Sequence, residues 1–244
     1  MRFELLTKLI AAAALTVAMM TGTPVRAGII EDFEAGPPGL ANYTDTGSAG
    51  ASITAGAAHD GNFGLNIANA GPGGWIYRTD APVQVGQGHT LSAWAQVGPD
   101  GRAYFGFGAS ANGALSVVMG SNTGTFIIQD NAGYGFSEIA AVTQSFQASH
   151  WYRIDVVWGV GGSIIANLFD SDGTTLLNTV SATDNSVTSG GIAFRGIEFG
   201  QPNNLVNFDT ICVDNCVATP EPTALVLLTT GLIGLAGARR RKAA

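Results

Sequence analysis

The sequence predicts an all-β domain, a two-sheet sandwich of jelly-roll type. The part of the chain between its two apolar ends is rich in Gly, Ser, Thr, Asn and Val and shows no 12-residue helical period. Short runs of alternating apolar and polar residues occur instead, each bounded by turn residues. About a dozen such runs in the 192 residues from 28 to 219 fit two packed sheets, and no fixed repeat indicates a propeller or solenoid.

The clearest unit is a predicted meander of three antiparallel strands. In its first strand, residues 151–158, every second residue is apolar, whereas Arg153 and Asp155 take the opposite face. Turns rich in glycine and aspartate then lead to strands predicted at 163–169 and 174–180. The pattern therefore predicts a half-buried sheet with one face toward the core.

Further runs are predicted as strands on the same grounds: 28–34, 63–69, 75–78, 89–97, 102–109, 114–119, 124–129, 141–147, 191–199 and 205–213. The longest segment without such a pattern, residues 35–50, is predicted to be a loop over the rim of the sandwich.

Residues 1–27 have the three parts of a secretory signal peptide. Arg2 and Lys8 supply the positive start, an apolar stretch of twelve residues follows, and Val25-Arg26-Ala27 forms a small-x-small site. A signal helix is therefore predicted, with cleavage after Ala27. An uncleaved N-terminal anchor is the alternative.

The C-terminal end combines a short motif, an apolar run and a basic stop. Pro220-Glu221-Pro222 precedes an uncharged run, and Arg239-Arg240-Arg241-Lys242 follows it directly. As a helix, residues 224–238 would span about 22 Å of the ~30 Å hydrocarbon core, and the long basic side chains can extend to the headgroups. A transmembrane helix with a cytoplasmic C-terminus is predicted, because clustered cations stay inside.

This arrangement resembles the PEP-CTERM sorting tail of Gram-negative exopolysaccharide-producing bacteria, which an exosortase recognises. The resemblance implies export by the secretion machinery, an inner-membrane intermediate, cleavage near Pro220, and delivery to the envelope, surface or extracellular matrix. A permanent anchor and a buried core helix are the alternatives, and only the Pro-Glu-Pro motif favours cleavage. The predicted domains are residues 1–27 (signal peptide), 28–219 (β-sandwich) and 220–244 (sorting and transmembrane tail).

The charge of the chain changes once both ends are removed. Residues 28–219 contain no lysine, four arginines and sixteen acidic residues, a formal charge of −12. A body this acidic repels phosphate backbones, which argues strongly against nucleic-acid binding. It is compatible with divalent cations and with neutral glycans.

Cys212 and Cys216 are the only cysteines. In an exported protein, a local disulfide is the favoured interpretation of this spacing. A metal site would need histidines nearby, and a redox centre would need a βαβ context that is missing here.

Four segments of the body together resemble the concanavalin A-like, laminin-G and carbohydrate-binding-module jelly rolls. They are Glu31-Asp32-Phe33-Glu34, residues 60–65, Val206-Asn207-Phe208-Asp209, and residues 150–154 with the 170–173 turn. The resemblance implies that the first and last strands pair and that a structural calcium ion binds at that end. Its ligands would be drawn from Glu31, Glu34, Asp60, Asn62 and Asp209, since Ca²⁺ takes six to eight oxygens. The alternative is a turn aspartate with solvated edge charges.

A glycan surface needs aromatic rings that stack on sugar faces, with polar side chains beside them. Trp75, Tyr77, Tyr134 and Phe136 are the predicted platforms. Trp94 and Tyr104 are further candidates, and the predicted polar partners are Asn112, Asn122, Gln129 and Asn131. The alternative for each ring is a core position, which large aromatics usually take in a sandwich.

The sequence provides little support for catalysis. Acid–base glycoside cleavage needs two carboxylates ~5–9.5 Å apart, and Glu198 stands alone on its predicted strand. No Gly-x-Ser-x-Gly elbow is present. The sequence therefore predicts a non-catalytic exported protein of the envelope or matrix that binds exopolysaccharide weakly. The alternatives are a structural matrix protein without a specific ligand and a glycan-active enzyme.

Overall fold

The computed structural model describes residues 28–68, 73–199 and 206–214. As predicted, the chain is all-β and forms two antiparallel sheets packed face to face. The predicted signal helix and transmembrane helix lie outside the described residues. Among the residues described, no helix is both long enough and apolar enough to cross a membrane.

The described residues form sixteen strands and three short 3-10 helices. In chain order the strands are β1 (Gly28–Glu31), β2 (Thr44–Asp45), β3 (Ala51–Thr54), β4 (Gly64–Ile67), β5 (Ile76–Arg78), β6 (Val85–Gly86), β7 (His89–Gln96), β8 (Gly101–Ser110), β9 (Gly113–Gly120), β10 (Thr125–Ala132), β11 (Ser137–Thr143), β12 (Trp151–Trp158), β13 (Ser163–Phe169), β14 (Leu176–Thr183), β15 (Ser189–Glu198) and β16 (Asn207–Val213). The 3-10 helices are Pro37–Asn42, Ala55–Ala57 and Ala81–Val83.

The strands divide between two sheets with many crossovers. Sheet A has the order β14-β13-β12-β7-β16-β4-β3, and β1 pairs with β16. Sheet B has the order β11-β10-β9-β8-β15-β5-β2, and β6 pairs with β15. The antiparallel pairing of β1 with β16 sets Ile29 opposite Cys212, which confirms the predicted pairing of the first and last strands.

The space between the sheets is filled by a single apolar core. At its centre, the Phe194 ring of sheet B lies 5.0 Å from the Phe208 ring of sheet A and 5.9 Å from the Phe33 ring. All three rings are fully buried. Removal of such rings from water is the main driving force that holds two sheets together.

The predicted meander is confirmed as strands β12, β13 and β14. The alternating residues of β12 from Tyr152 to Trp158 are buried against the core. On the other face, the Arg153 guanidinium pairs with the Asp155 carboxylate at 2.9 Å. One face of this part of sheet A is therefore polar, as its alternation predicts.

Several predicted boundaries are wrong. The first strand ends at Glu31 rather than at residue 34, because Phe33 has a left-handed backbone (φ 57°) that turns its ring into the core. The segment 35–50 holds a 3-10 helix and β2 rather than only a loop. The strand predicted at 141–147 is β11, which starts at Ser137. The misleading apolar signal was Phe146, which packs from a loop against Tyr152, 5.5 Å away.

Candidate functional site

The outer face of sheet B carries a second buried apolar cluster. An antiparallel sheet on the surface usually exposes polar side chains on its outer face. Here the outer face instead carries buried apolar side chains, which come from five strands or their flanks: Trp75, Tyr104, Ala109, Ala114, Val118, Ile127, Ala193 and Ile197. Tyr77 and Tyr134 pack against this cluster.

Residues 133–136, between β10 and β11, lie over this cluster, and we call them the cover loop. Gly133 and Tyr134 both have left-handed backbone conformations, with φ of 60° and 61°. Tyrosine in this region costs about 1–2 kcal/mol relative to a right-handed conformation. The loop is held in place by backbone bonds from Gly133 N–H to the Asn112 carbonyl (2.6 Å) and from Tyr134 N–H to the Asn131 carbonyl (2.8 Å).

The side chain of Tyr134 fastens the cover loop to the sheet. Its ring stacks on Tyr77 at 5.4 Å between centroids and lies 5.6 Å from the ring of Trp75. Its hydroxyl donates to the Ser110 carbonyl at 2.7 Å. Burial, followed by the proximity of Tyr77, raises the pKa of Tyr134, so the phenol stays neutral.

Asn131 anchors the cover loop from below. Its side-chain carbonyl accepts a hydrogen bond from the Ser116 hydroxyl (2.6 Å), and its amide donates to the Gly135 carbonyl (2.7 Å) and to the Gln129 side-chain oxygen (3.2 Å). Asn131 and Ser116 are fully buried. Because buried polar groups need partners, this network fixes one loop conformation.

Arg195, on β15, lies beneath the exposed ring of the cover loop. Its guanidinium carbon is 4.3 Å from the centroid of Phe136 and 5.1 Å from that of Tyr104. Its Nε donates to the Gly73 carbonyl at 2.8 Å, whereas the buried Nη1 has no hydrogen-bond acceptor among the described residues. Burial lowers the pKa of Arg195, but a guanidinium stays charged at physiological pH.

Beside Arg195 is an open cavity of about 320 Å³, which we call the arginine cavity. Its lining residues are Arg102, Tyr104, Phe136, Arg195, Ile197 and Phe199. Phe136 and Phe199 are large apolar side chains that stay 56% and 49% exposed. Exposed rings next to polar donors are a combination found at binding sites rather than on inert surfaces.

The structure brings the four predicted platforms to one face of the sheet. Trp75 is buried beneath them, Tyr77 and Tyr134 are half-buried, and Phe136 is exposed. Trp94 lies elsewhere, on sheet A, where it stacks on His59 at 3.8 Å. Whether the four rings bind a ligand stays a prediction.

The sequence pattern did not identify Arg102, Arg195 or Phe199 as candidate site residues. One signal was available, because Arg195 interrupts an apolar run on a predicted strand and therefore shares a face with Ala193 and Ile197. The contribution of Arg102 depends on strand register, which sets Ile197 of β15 opposite it on β8.

Glu34 and Asn62, two of the predicted calcium ligands, contact each other directly. The Glu34 carboxylate accepts hydrogen bonds from Asn62 N–H (2.7 Å), from the Asn62 side-chain amide (3.0 Å) and from Phe63 N–H (2.9 Å). These bonds lower the pKa of Glu34, with the side chain of Asn62 the largest cause. The Glu34 carboxylate therefore holds the 60–63 turn against the segment that follows β1.

Asp209 and Asp60, two further predicted calcium ligands, also contact each other. Asp209 is fully buried, and its carboxylate accepts backbone hydrogen bonds from His59 (2.7 Å), Asp60 (2.8 Å) and Thr210 (2.7 Å). Burial raises the pKa of Asp209 to about 6 despite these donors, which act in the opposite direction.

Glu31, the fifth predicted ligand, pairs with the Arg78 guanidinium and the Tyr43 hydroxyl, each at 2.7 Å. The carboxylates of Glu31, Glu34 and Asp209 thus all accept hydrogen bonds from donors within the protein. Across the described ranges, no set of three or more His, Cys, Asp or Glu side chains is arranged to hold a metal ion. Calcium binding at the predicted ligands therefore stays a prediction.

The remaining predicted residues lie at or beyond the end of the described chain. Cys212 is buried on β16. Its proposed partner Cys216, the Pro220-Glu221-Pro222 motif and the basic stop at 239–242 lie outside the described residues, so the disulfide stays a prediction.

Comparison with known families identifies the tail. The model of the PEP-CTERM protein-sorting motif matches residues 218–242, which confirms the resemblance inferred from the sequence. The motif implies an exported protein that passes through the membrane to the envelope. No curated protein matches the chain in sequence.

Comparison with solved structures identifies the fold. The carbohydrate binding module CBM66 from Bacillus subtilis superposes with a TM-score of 0.51 and 11% identity, over 71% of this chain and 96% of that one. A Bacillus subtilis protein of unknown function with a galectin-like fold gives 0.52 and 10%, over 77% and 93%. The Ca²⁺/Man3GlcNAc-bound exoplasmic/lumenal domain of VIP36 gives 0.51 and 11%, over 82% and 92%. At this identity the similarity shows a galectin-like jelly roll and no more.

Replacing Asn131 by alanine should loosen the cover loop. The Ser116 hydroxyl and the Gly135 carbonyl would lose a buried partner, so we expect the free energy of unfolding to fall by about 1–3 kcal/mol. Cover-loop amides should also exchange faster with deuterium. Urea denaturation and hydrogen-exchange mass spectrometry measure the two effects. Asn112→Ala is the matched control, because that exposed residue contacts the loop through its backbone only; an equal loss in both variants would contradict the anchoring role.

The raised pKa of Asp209 predicts a specific pH dependence. Between about pH 4 and pH 6 the folded protein binds a proton that the unfolded chain has released, so the contribution of Asp209 to stability falls as pH rises through this window. Relative to Asp209→Asn, which does not titrate, the wild-type free energy of unfolding should drop by about 2–3 kcal/mol from pH 4 to pH 7. Urea denaturation across this range measures the difference. A flat or rising difference would show that the backbone donors outweigh burial.

Proposed function

We propose that this chain is an exported binding protein of the envelope or extracellular matrix and that it contacts glycans through the outer face of sheet B. The observation that carries this proposal is the gathering of aromatic rings there. Phe136 is exposed beside the arginine cavity, while Trp75, Tyr77 and Tyr134 hold its loop against the sheet.

The chemistry of this face suits a sugar ring. A pyranose presents apolar C–H groups on its faces and hydroxyl groups at its edges. Phe136 and Phe199 offer exposed rings to the faces, and the arginines of the same cavity offer N–H donors to the edges. Pockets with apolar walls and a few placed polar groups are the usual form of small-ligand sites.

The comparisons support the same proposal at the level of fold. Two of the similar structures are a carbohydrate binding module and a Ca²⁺/Man3GlcNAc-bound exoplasmic/lumenal domain. A jelly roll hosts many functions, so this similarity favours glycan binding without placing the site.

The arginine cavity favours binding over catalysis. Acid–base cleavage of a glycosidic bond needs a pair of carboxylates, and the described residues that line the cavity include no Asp or Glu. Glu198 follows Ile197 on β15 and therefore faces the opposite side of the sheet. We propose a non-catalytic module, and weak single contacts would gain strength from the many repeats of a polysaccharide.

The proposed route to the matrix uses both ends of the chain. The signal peptide would be removed after Ala27, and the folded domain, residues 28–219, would lie outside the inner membrane. An exosortase would then cut near Pro220 while the basic stop remains cytoplasmic. The family match at 218–242 supports exosortase processing.

A glycan array tests the proposed function, with the full-length protein purified in a mild detergent. We expect binding to at least one polysaccharide class, and we expect Phe136→Ala to weaken it by about tenfold or more, since the exposed platform is lost. Leu176→Ala is the matched control: it removes a similarly exposed apolar side chain (53%) from sheet A. No glycan binding by the wild type, with calcium present, would overturn the proposal, and so would equal losses in both variants.

A further inference from the structure

We infer that the glycan recognised at the arginine cavity is acidic, a polysaccharide whose uronic acid carboxylates bind between Arg102 and Arg195. This inference rests on the proposed glycan-binding function and names the class of its ligand. It goes against the expectation from composition, because a body with a charge of −12 would be expected to avoid polyanions.

The four arginines in the described ranges fall into two kinds. Arg78 pairs with Glu31 at 2.7 Å, and Arg153 pairs with Asp155 at 2.9 Å. Arg102 and Arg195 both face the outer side of sheet B, and neither forms an ion pair with a described residue. In so acidic a protein, unpaired arginines side by side are unexpected.

The positive charges of Arg102 and Arg195 add to each other in the cavity that both residues line. Arg102 is half-buried, and its Nε donates to the neutral side chain of Asn122 at 2.9 Å. Burial is the main cause of the lowered pKa of Arg195, and the charge of Arg102 adds to it. The cavity therefore has a positive field of its own.

One nitrogen of the Arg195 guanidinium lacks an acceptor that an acid would supply. Arg195 is 2% exposed, and its Nη1 has no hydrogen-bond partner among the described residues. The faces of Phe136 and Tyr104 offset part of the cost of this buried charge. A carboxylate is the natural complement, because it accepts two parallel hydrogen bonds from one guanidinium.

The surroundings of the cavity fit a uronic acid better than a free anion. No acidic side chain is among its described lining residues, so a carboxylate would meet no local repulsion. Phe136 and Phe199 border the guanidiniums with exposed rings, which suit the sugar to which the carboxylate is attached. Charges on the rest of the body act weakly beyond a Debye length of about 8 Å.

Binding to polygalacturonate and to its methyl ester tests the inference, because the two polymers share a backbone and differ in charge. We expect the full-length protein in mild detergent to bind polygalacturonate at least about tenfold more tightly. The preference should shrink as NaCl rises from about 50 mM to about 500 mM, since screening weakens exposed charge pairs. Affinity gel electrophoresis measures both effects.

Variants then identify the arginines that cause the preference for the charged polymer. Arg102→Gln should remove most of the preference, and Arg195→Lys should reduce it, because lysine keeps the charge but not the planar fork. Arg153→Gln is the matched control: it changes the net charge of the body equally but lies on sheet A. Unchanged melting temperatures would show that the variants are folded, and the salt dependence of the wild type needs no variant.

The outcomes separate the two proposals. Equal binding of the polymer and its ester, or an equal effect of Arg153→Gln, would overturn the acidic ligand while glycan binding stands. Tighter binding of dextran sulfate than of polygalacturonate would overturn the assignment to carboxylates. Failure to bind any glycan, neutral or acidic, would overturn the proposed function itself.

Discussion

Sheet B buries apolar side chains on both of its faces, and this constraint governs the arrangement of the site. Its inner face is closed by sheet A, with Phe194 packed against Phe208 across the interface. No other sheet of the described residues covers its outer face, where the cover loop and its aromatic neighbours exclude water. The buried Asn131 network and the Tyr134 hydroxyl hold that loop in place. Phe136 is left exposed at its end, beside the two arginines.

The half-buried strands of sheet A were the most predictable part of the fold. In β12, Arg153 and Asp155 mark the solvent face, so alternation alone predicts its length and orientation. Strands β8 and β9 are buried almost throughout, and their runs predict a strand without showing which layer covers each face. Short strands such as β3 were missed, because Ala51–Thr54 is too small and polar to show a pattern.

The candidate site was predictable only in part. Residue type and the glycine-rich sequence around Tyr134 and Phe136 pointed to aromatic platforms, and these do lie together. Their partners depend on register: Tyr104 meets Arg195 because β8 pairs with β15 in one alignment. The contacts of the predicted calcium ligands were not predictable, because Glu34 and Asp209 accept hydrogen bonds from backbone N–H groups in turns that the sequence alone does not reveal.

Glycan binding is proposed for the outer face of sheet B, beneath the cover loop. Hydrogen-exchange mass spectrometry with and without a bound polysaccharide tests it most directly. We expect slower exchange in residues 131–136 and in β15 around Arg195, with the β13–β14 hairpin unchanged. Protection confined to the His59–Trp94 region of sheet A, with the cover loop unaffected, would contradict it.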